Sequence, residues 1–220
     1  MDKMLRRINF DGEEFYVYKA MPQWDGFIDG ASELPDPWEK LVSKTIANEI
    51  KPDWNFVDIG ASFGAYTLLA AKRTSGMCYA FEPNSVNFAL LKTNLSKFNN
   101  IKCINKALGD ENTKLGLSLS IPGNGGHSLT FKKSEKSEIV EVITLDSLNL
   151  HIDMMKIDVE SYGYKVLKGA DKTLINTKLI IFERHHRGEE GVNELLKSRG
   201  FRFVFNKGPN KRSFIAYIRN

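Results

Sequence analysis

The stretch Val57-Asp58-Ile59-Gly60-Ala61-Ser62-Phe63-Gly64-Ala65-Tyr66 constrains this chain more than any other part of it. It follows a short apolar run from Trp54 to Ile59 and opens a helix-like segment from Ala65 to Ala71. It therefore reads as a strand, a glycine-bearing turn and a helix start. Such a turn brings backbone N–H groups and a helix N-terminus up to a ligand.

Asp58 bears on the identity of that ligand. A dinucleotide loop is written G-x-G-x-x-G, with glycine at its second position for close backbone contact with pyrophosphate. Here those positions hold Gly60, Ser62 and Ala65, and a carboxylate stands two residues before the turn. An anion beside a diphosphate is repulsive. The same carboxylate suits a ligand with an ammonium group and a sulfonium centre, which describes S-adenosylmethionine. A strand-to-helix turn without any ligand is the plain structural alternative.

The chain has 220 residues, 42% hydrophobic and 26% charged, which predicts one globular domain with a sizeable core. A net charge of +4, spread along the sequence, permits a nucleic-acid partner without pointing to one. Cys78 and Cys103 sit inside apolar runs, far from a C-x-x-C spacing, and read as reduced core residues. The charged N-terminus leads into no apolar h-region, and no run approaches the roughly 18 apolar residues of a membrane span. The default expectation is a cytoplasmic protein.

The order of elements is read as follows. Residues 1–35 form a hairpin and a flap: Asp11-Gly12 stands between two strand-like runs, and Ala20 to Glu33 is a loop carrying Trp24, Phe27 and Ile28. Residues 36–220 form the main domain. Asp36-Pro37 starts a helix reaching Ile50, with Trp38, Leu41, Val42 and Ile46 at helical spacing. Strands are expected at Met77 to Glu82 and Ile101 to Asn105, separated by a helix that Pro83-Asn84-Ser85 caps and that aligns Phe88, Leu91, Leu95 and Phe98. This β-α-β-α-β order implies a parallel sheet with right-handed crossovers. From Ala107 to Leu145 the period changes to alternation, with a loop from Ile121 to Ser128 and Lys132, Lys133 and Lys136 on a solvated face. That region is expected to be a small antiparallel excursion after the third strand. The α/β order then resumes with a strand from Met154 to Asp158, a helix carrying Val166, Leu167, Ala170 and Leu174, and a strand from Lys178 to Glu183. After a last helix marked by Val192, Leu195 and Leu196, two directly joined strands, Phe201 to Phe205 and Ser213 to Ile218, must pair as a C-terminal antiparallel hairpin.

In an open parallel sheet the ligand lies outside the carboxyl ends of the strands. Asp58, Glu82, Asn105, Asp158 and Glu183 each end an expected strand. Glu82 stands about 20 residues after Gly60, where an acid at the end of the second strand accepts the ribose hydroxyls of a nucleoside. An acid at a helix N-terminus ahead of Pro83-Asn84 is the structural alternative. Asp110 is read either as a contact to the adenine edge or as a turn residue.

At this point the chain resembles a known family. Val57-Asp58-Ile59-Gly60-Ala61-Ser62-Phe63-Gly64, Phe81-Glu82-Pro83-Asn84, Asn105-Lys106-Ala107-Leu108-Gly109-Asp110, Ile143-Thr144-Leu145-Asp146-Ser147-Leu148, Lys156-Ile157-Asp158-Val159-Glu160 and Val166-Leu167-Lys168-Gly169-Ala170 follow one another as in the FkbM-type methyltransferases. The resemblance spans roughly Asp53 to Glu183. It implies a Rossmann-like class I methyltransferase fold of the α/β class, with a mostly parallel seven-stranded sheet, and S-adenosyl-L-methionine as cofactor. It also implies O-methylation of a hydroxyl on a small molecule, sugar or glycan. The expected cofactor contacts are Asp58, Gly60, Ala61, Ser62, Gly64, Tyr66, Glu82, Pro83, Asn84, Ala107, Leu108 and Asp158. Two departures stand out. The family commonly follows Asp-Val-Glu with Gly and, two residues later, another Glu, whereas this chain has Ser161-Tyr162-Gly163-Tyr164. Its first turn more often carries Asn where Ser62 stands.

Methyl transfer to oxygen is an in-line displacement that needs donor and acceptor aligned, water excluded and the hydroxyl proton removed. The candidates for proton removal are Asp158, Glu160, His127, Glu183 and His185. If Asp158 holds the methionine ammonium instead, Glu160 or a histidine is left as base, and each histidine, His186 included, also has an ordinary structural reading. A carboxylate-histidine group at the strand ends could also bind a divalent metal, as in catechol-type methyltransferases, but the ligand spacing is not diagnostic and no metal site is assigned. No Asn-Pro-Pro-Tyr-like run is present, which speaks against amino-group methylation. Two rivals remain: an RNA ribose 2′-O-methyltransferase using Asp158, Lys165 and Glu183, which the mild charge disfavours, and a non-catalytic or NAD-binding module, which Asp58 disfavours.

Overall fold

The computed structural model describes residues 5–18, 37–118, 128–130, 137–185, 190–207 and 212–219. The aromatic-bearing segment 20–33, the loop 121–127 with His127, the lysines at 132, 133 and 136, and His186 lie outside them. The first two strands, β1 (Leu5–Phe10) and β2 (Glu13–Tyr18), form the expected hairpin. Asp11 and Gly12 both take the positive φ that a tight hairpin turn requires, 50° and 82°.

Helix α1 (Pro37–Glu49) leads into β3 (Phe56–Ile59), α2 (Ala65–Ala71), β4 (Cys78–Phe81), α3 (Ser85–Leu95) and β5 (Ile101–Ile104). After an inserted region come β10 (Met154–Ile157), α4 (Gly163–Lys168), β11 (Leu179–His185), α5 (Val192–Ser198), β12 (Phe201–Lys207) and β13 (Arg212–Arg219). Seven of these strands make one sheet in the order β12-β13-β11-β10-β3-β4-β5. The five inner and leading strands run parallel, and β13 is antiparallel to both β11 and β12. The mostly parallel seven-stranded sheet with its C-terminal hairpin is thus present as expected.

The strands read as continuous apolar runs because both faces of the sheet are covered. Side chains alternate between faces. Phe56, Met154 and Ile181 join one core with α1, α2 and α3, while Val57, Met155 and Phe182 join the other with α4 and α5. The N-terminal hairpin contributes fully buried Phe15 and Val17 to the first core. Asn94 of α3 fixes it there, accepting from Tyr16 N at 2.8 Å and donating to Tyr16 O at 3.0 Å and to Phe63 O at 2.9 Å.

The inserted region differs in one respect from a purely antiparallel excursion. It forms a four-stranded sheet, β6-β9-β7-β8, from β6 (Ala107–Leu108), β7 (Thr113–Ser118), β8 (Ser128–Thr130) and β9 (Ser137–Ile143). β7 is antiparallel to β8 and β9, but β6 pairs parallel with β9. Alternation identifies strands without naming their partners, so a two-residue strand meeting the far end of β9 leaves no local trace.

The helix expected through Val166 and Leu174 is also divided. α4 stops at Gly169, where an added Cβ would lie 1.8 Å from the Gly109 carbonyl oxygen, and a 3-10 turn follows at Thr173–Ile175. Asp146 starts that turn by accepting from Lys172 N at 2.9 Å and from Thr173 N and Oγ1 at 2.8 Å each. Among the described residues no helix is long and apolar enough to cross a membrane.

Candidate functional site

The parallel register sets Asp58 directly beside Lys156, on the face they share with Phe56 and Met154. Glu183 lies two residues beyond Ile181, the β11 neighbour of Lys156, and so returns to the same face. Asp158, just past the end of β10, adds a further carboxylate. The Lys156 ammonium stands 3.2 Å from Asp58 Oδ1, 3.5 Å from Asp158 Oδ2 and 3.3 Å from Gly60 O, with the Tyr66 ring centroid at 4.9 Å. Thr67 of α2 donates to Asp58 Oδ2 at 2.8 Å. Asp58, Lys156 and Glu183 are 3% exposed or less, whereas the Asp158 side chain is 27% exposed. Only Asp158 in this cluster therefore faces the open end of the sheet.

A lysine stripped of water tends to lose its proton, but here the charges of Asp58, Asp158 and Glu183 outweigh that burial. They hold the Lys156 pKa above its ordinary value. The ammonium is a fixed internal cation that offsets part of the negative charge around it. Asp58 was expected to meet a ligand's ammonium; in the structure it meets the ammonium of Lys156. Lys156 is the residue that sequence reasoning passed over, although it was quoted within a motif. The usable signal was a lysine inside Met154-Met155-Lys156-Ile157, a central strand buried on both faces, where a cation requires an anionic neighbour.

The glycine turn is anchored from both sides. Gly60, at φ 80°, approaches β10 so closely that an added Cβ would sit 1.9 Å from the Asp158 carbonyl oxygen. Gly64, at φ 97°, packs under Leu91 and Leu95 of α3. Ala61 is buried, and Ser62, itself at φ 52°, donates its N–H to Glu82 Oε2 at 2.9 Å. The other Glu82 oxygen accepts from Asn84 N at 2.9 Å. Glu82 is 5% exposed, and burial pushes its pKa up to about 7 although these N–H groups favour the ionised form. The Asn87 side chain is a third donor to this carboxylate, whose four lone pairs still leave room for a ligand hydroxyl.

Asn84 caps α3 by accepting from Asn87 N at 2.9 Å. Asn105 holds the same corner, donating to Glu82 O at 2.9 Å and Pro83 O at 3.0 Å. Glu138 of β9 reaches across from the small sheet to accept from Asn84 Nδ2 and Ser85 N, both at 3.2 Å. Ala107 and Leu108 are buried in β6, and Asp110 beyond them is drawn to Lys165 and Lys168 of α4 at 3.7 and 3.4 Å. Asp110 is thus tied into the turn.

Beyond Asp158 the chain makes an unusual bend. Glu160 and Ser161 are consecutive non-glycine residues at φ 45° and 69°, in the left-handed region. Gly163 then packs against Phe182, where an added Cβ would lie 2.4 Å from the ring. The departure from the family pattern at residues 161–164 thereby acquires a physical meaning. Ser161 occupies a backbone conformation suited to glycine, and position 163 has no room for a glutamate side chain. His185 ends β11 in the register with Arg212, its side chain lying outside the described set, as does all of His127. Among the described residues no group of three or more His, Cys, Asp or Glu is gathered to hold a metal ion. Cys78 and Cys103 are free thiols.

The chain resembles known proteins both in sequence and in fold. The hexuronic acid methyltransferase AglP of Haloferax volcanii is 26% identical over 155 residues, which make up 67% of this chain and 62% of that protein, so the chain spans less than two thirds of the relative's length. An rRNA methylase from Streptococcus thermophilus superposes with a TM-score of 0.57 at 13% identity, over 84% of this chain and 98% of that one. M. jannaschii TYW2, solved in complex with AdoMet, superposes with a TM-score of 0.50 at 16% identity, over 99% of this chain and 87% of that one. The fold is therefore the Rossmann-like fold of class I methyltransferases. Residues 58–203 match the methyltransferase FkbM domain, and with the glycine turn, the acid-ended strands and the Lys156 cluster all inside that span, the chain belongs to the FkbM methyltransferase family.

Proposed function

We propose that the protein is an S-adenosylmethionine-dependent methyltransferase that modifies a hydroxyl oxygen of a sugar; the H. volcanii relative is, by its name, a methyltransferase of a hexuronic acid. The observation that carries this is the set of carboxylates graded by exposure at the strand ends. Glu82, pinned by Ser62 N, Asn84 N and the Asn87 side chain, retains acceptor capacity for a ribose hydroxyl. Asp158 has an exposed carboxylate beside a buried cation. This donor set fits a nucleoside carrying an amino acid. The cofactor, when bound, supplies an electrophilic methyl group on a sulfonium centre.

The chain's own residues do the rest. Gly60 and Ser62 shape the turn, and Glu82 orients the nucleoside. Lys156, held by Asp58, keeps the Asp158 carboxylate in place. Asp158 takes the proton from the acceptor hydroxyl, a role for which a positioned base contributes about 10²–10⁴-fold in rate. Titration calorimetry with S-adenosylmethionine, paired with transfer of labelled methyl to sugars, tests the proposal. Asp158→Asn is expected to lower turnover at saturating cofactor by about 10²-fold or more, over and above any loss of cofactor affinity that calorimetry reads. Absence of cofactor binding by the unaltered protein would defeat it, and transfer to RNA in place of sugars would overturn the acceptor class.

A further inference from the structure

A second concavity lies on the opposite face of β11 from the Lys156 cluster. It encloses about 220 Å³ and is lined by Phe182, Arg184, Glu190, Asn193, Glu194 and Tyr217, among others. Typical small-molecule pockets run from roughly 300 to 1,000 Å³, so this one suits a single ring. Strand alternation explains its separation from the buried cluster. Glu183 turns toward Lys156, and the next residue, Arg184, turns the other way with Phe182. The cavity nonetheless borders the segment that follows Asp158. Gly163 lies against the Phe182 ring, and Gly191 lies so near Tyr164 that an added Cβ would be 3.2 Å from it.

The chemistry of the lining is specific. The Tyr217 hydroxyl donates to Asn193 Oδ1, which leaves the Asn193 amide NH₂ as a donor. Arg184 is half-buried and makes no ion pair or hydrogen bond among the described residues. A guanidinium in that setting binds a planar oxyanion through two parallel N–H bonds. Glu190 and Glu194 lie exposed at the cavity, so water screens their repulsion of an anion while the half-buried Arg184 pairs with it directly; a dianion such as a phosphate monoester meets that repulsion twice over. Carboxylates also accept from hydroxyls, and Phe182 offers an apolar wall to the C–H face of a ring.

We infer that this cavity is the acceptor's recognition site and that it takes a uronic acid, with the sugar carboxylate on Arg184 and ring hydroxyls on Glu190 and Glu194. The inference rests on the proposed methyltransferase activity for its purpose, but the binding event can be measured alone. Saturation-transfer NMR and calorimetry with methyl β-glucuronide, methyl β-glucoside and glucose 6-phosphate compare a carboxylate, a neutral and a phosphate probe on one ring, with S-adenosylmethionine titrated separately. The glucuronide is expected to bind roughly tenfold more tightly than the glucoside. Arg184→Gln should erase that preference, Arg184→Lys should retain part of it, and neither should change cofactor affinity. Equal binding of glucuronide and glucoside, a preference for the phosphate, or a preference that survives Arg184→Gln overturns the inference. Failure of S-adenosylmethionine to bind overturns the proposed activity instead, whatever the sugars do.

Discussion

Lys156 concentrates the energetics of the site in one side chain. It is 2% exposed and stands among Asp58, Asp158 and Glu183. Removing one partner of a buried ion pair leaves an uncompensated charge, which costs about 3–5 kcal/mol. Lys156→Met is expected to destabilise the protein by about that amount in urea unfolding, and Lys156→Met combined with Asp58→Asn to recover much of it. Additive losses in the double variant would show that the pair is not the source. Ser161 makes a smaller claim of the opposite sign. A non-glycine residue in the left-handed region costs roughly 1–2 kcal/mol. Ser161→Gly should therefore raise the melting midpoint by about 2–8 °C for a chain of this size. A neutral or lower midpoint would mean that a side-chain bond of Ser161 outweighs the backbone cost. At this scale the sequence revealed the acids at the strand ends, since each closes an apolar run. It did not reveal that Asp58 is already matched from within, because Lys156 is far away in sequence and only the strand register brings the two together.

Among the elements, the turn after β3 is where backbone and chemistry are hardest to separate. Gly60 combines a φ of 80° with a carbonyl 1.9 Å from where a Cβ would be. Gly60→Ala must push β3 away from β10 or bend the turn. We expect a loss of several kcal/mol in thermal unfolding, in the range of strained and overpacked substitutions, together with loss of cofactor binding. An alanine variant that melts and binds normally would mean that the turn can relax without cost. Helices and strands with strong periodicity were legible in the sequence, as were the α3 cap at Asn84 and the hairpin turn at Asp11-Gly12. The break between α4 and the 3-10 turn was not, because the apolar period runs on through Ala170 and Leu174 while the cause is the distant backbone of Gly109. The tie from Glu138 to the start of α3 escaped for the same reason, as it joins the small sheet to a helix more than 50 residues earlier in the chain.

For the molecule as a whole, Glu82 ties ligand binding to pH. Its pKa of about 7 in the folded protein, against an ordinary 4.5, means that the folded state holds this proton more readily than the unfolded chain. The stability it contributes is full below about pH 4.5 and is lost as pH rises through about 7. Ligand hydroxyls donate to the ionised form, so cofactor binding follows the opposite trend. The dissociation constant should be roughly tenfold larger at pH 6 than at pH 8, and Glu82→Gln should flatten the profile. A slope that persists in Glu82→Gln would assign the effect to another group. The central position of β3 has one more consequence. Gly60 and the ammonium that reaches it belong to residues 96 positions apart, and the strands on either side of β3 come from different halves of the chain. A ligand seated on Glu82 and Asp158 acts as a clasp between those halves, so its binding energy reports on global unfolding instead of a local opening. At a hundredfold excess over its dissociation constant it adds about 2.7 kcal/mol, or about 5–10 °C in a melting scan. The two halves should then melt together, in one transition that moves as a unit with ligand concentration; a transition that splits, with only one part shifting, would show that they unfold separately.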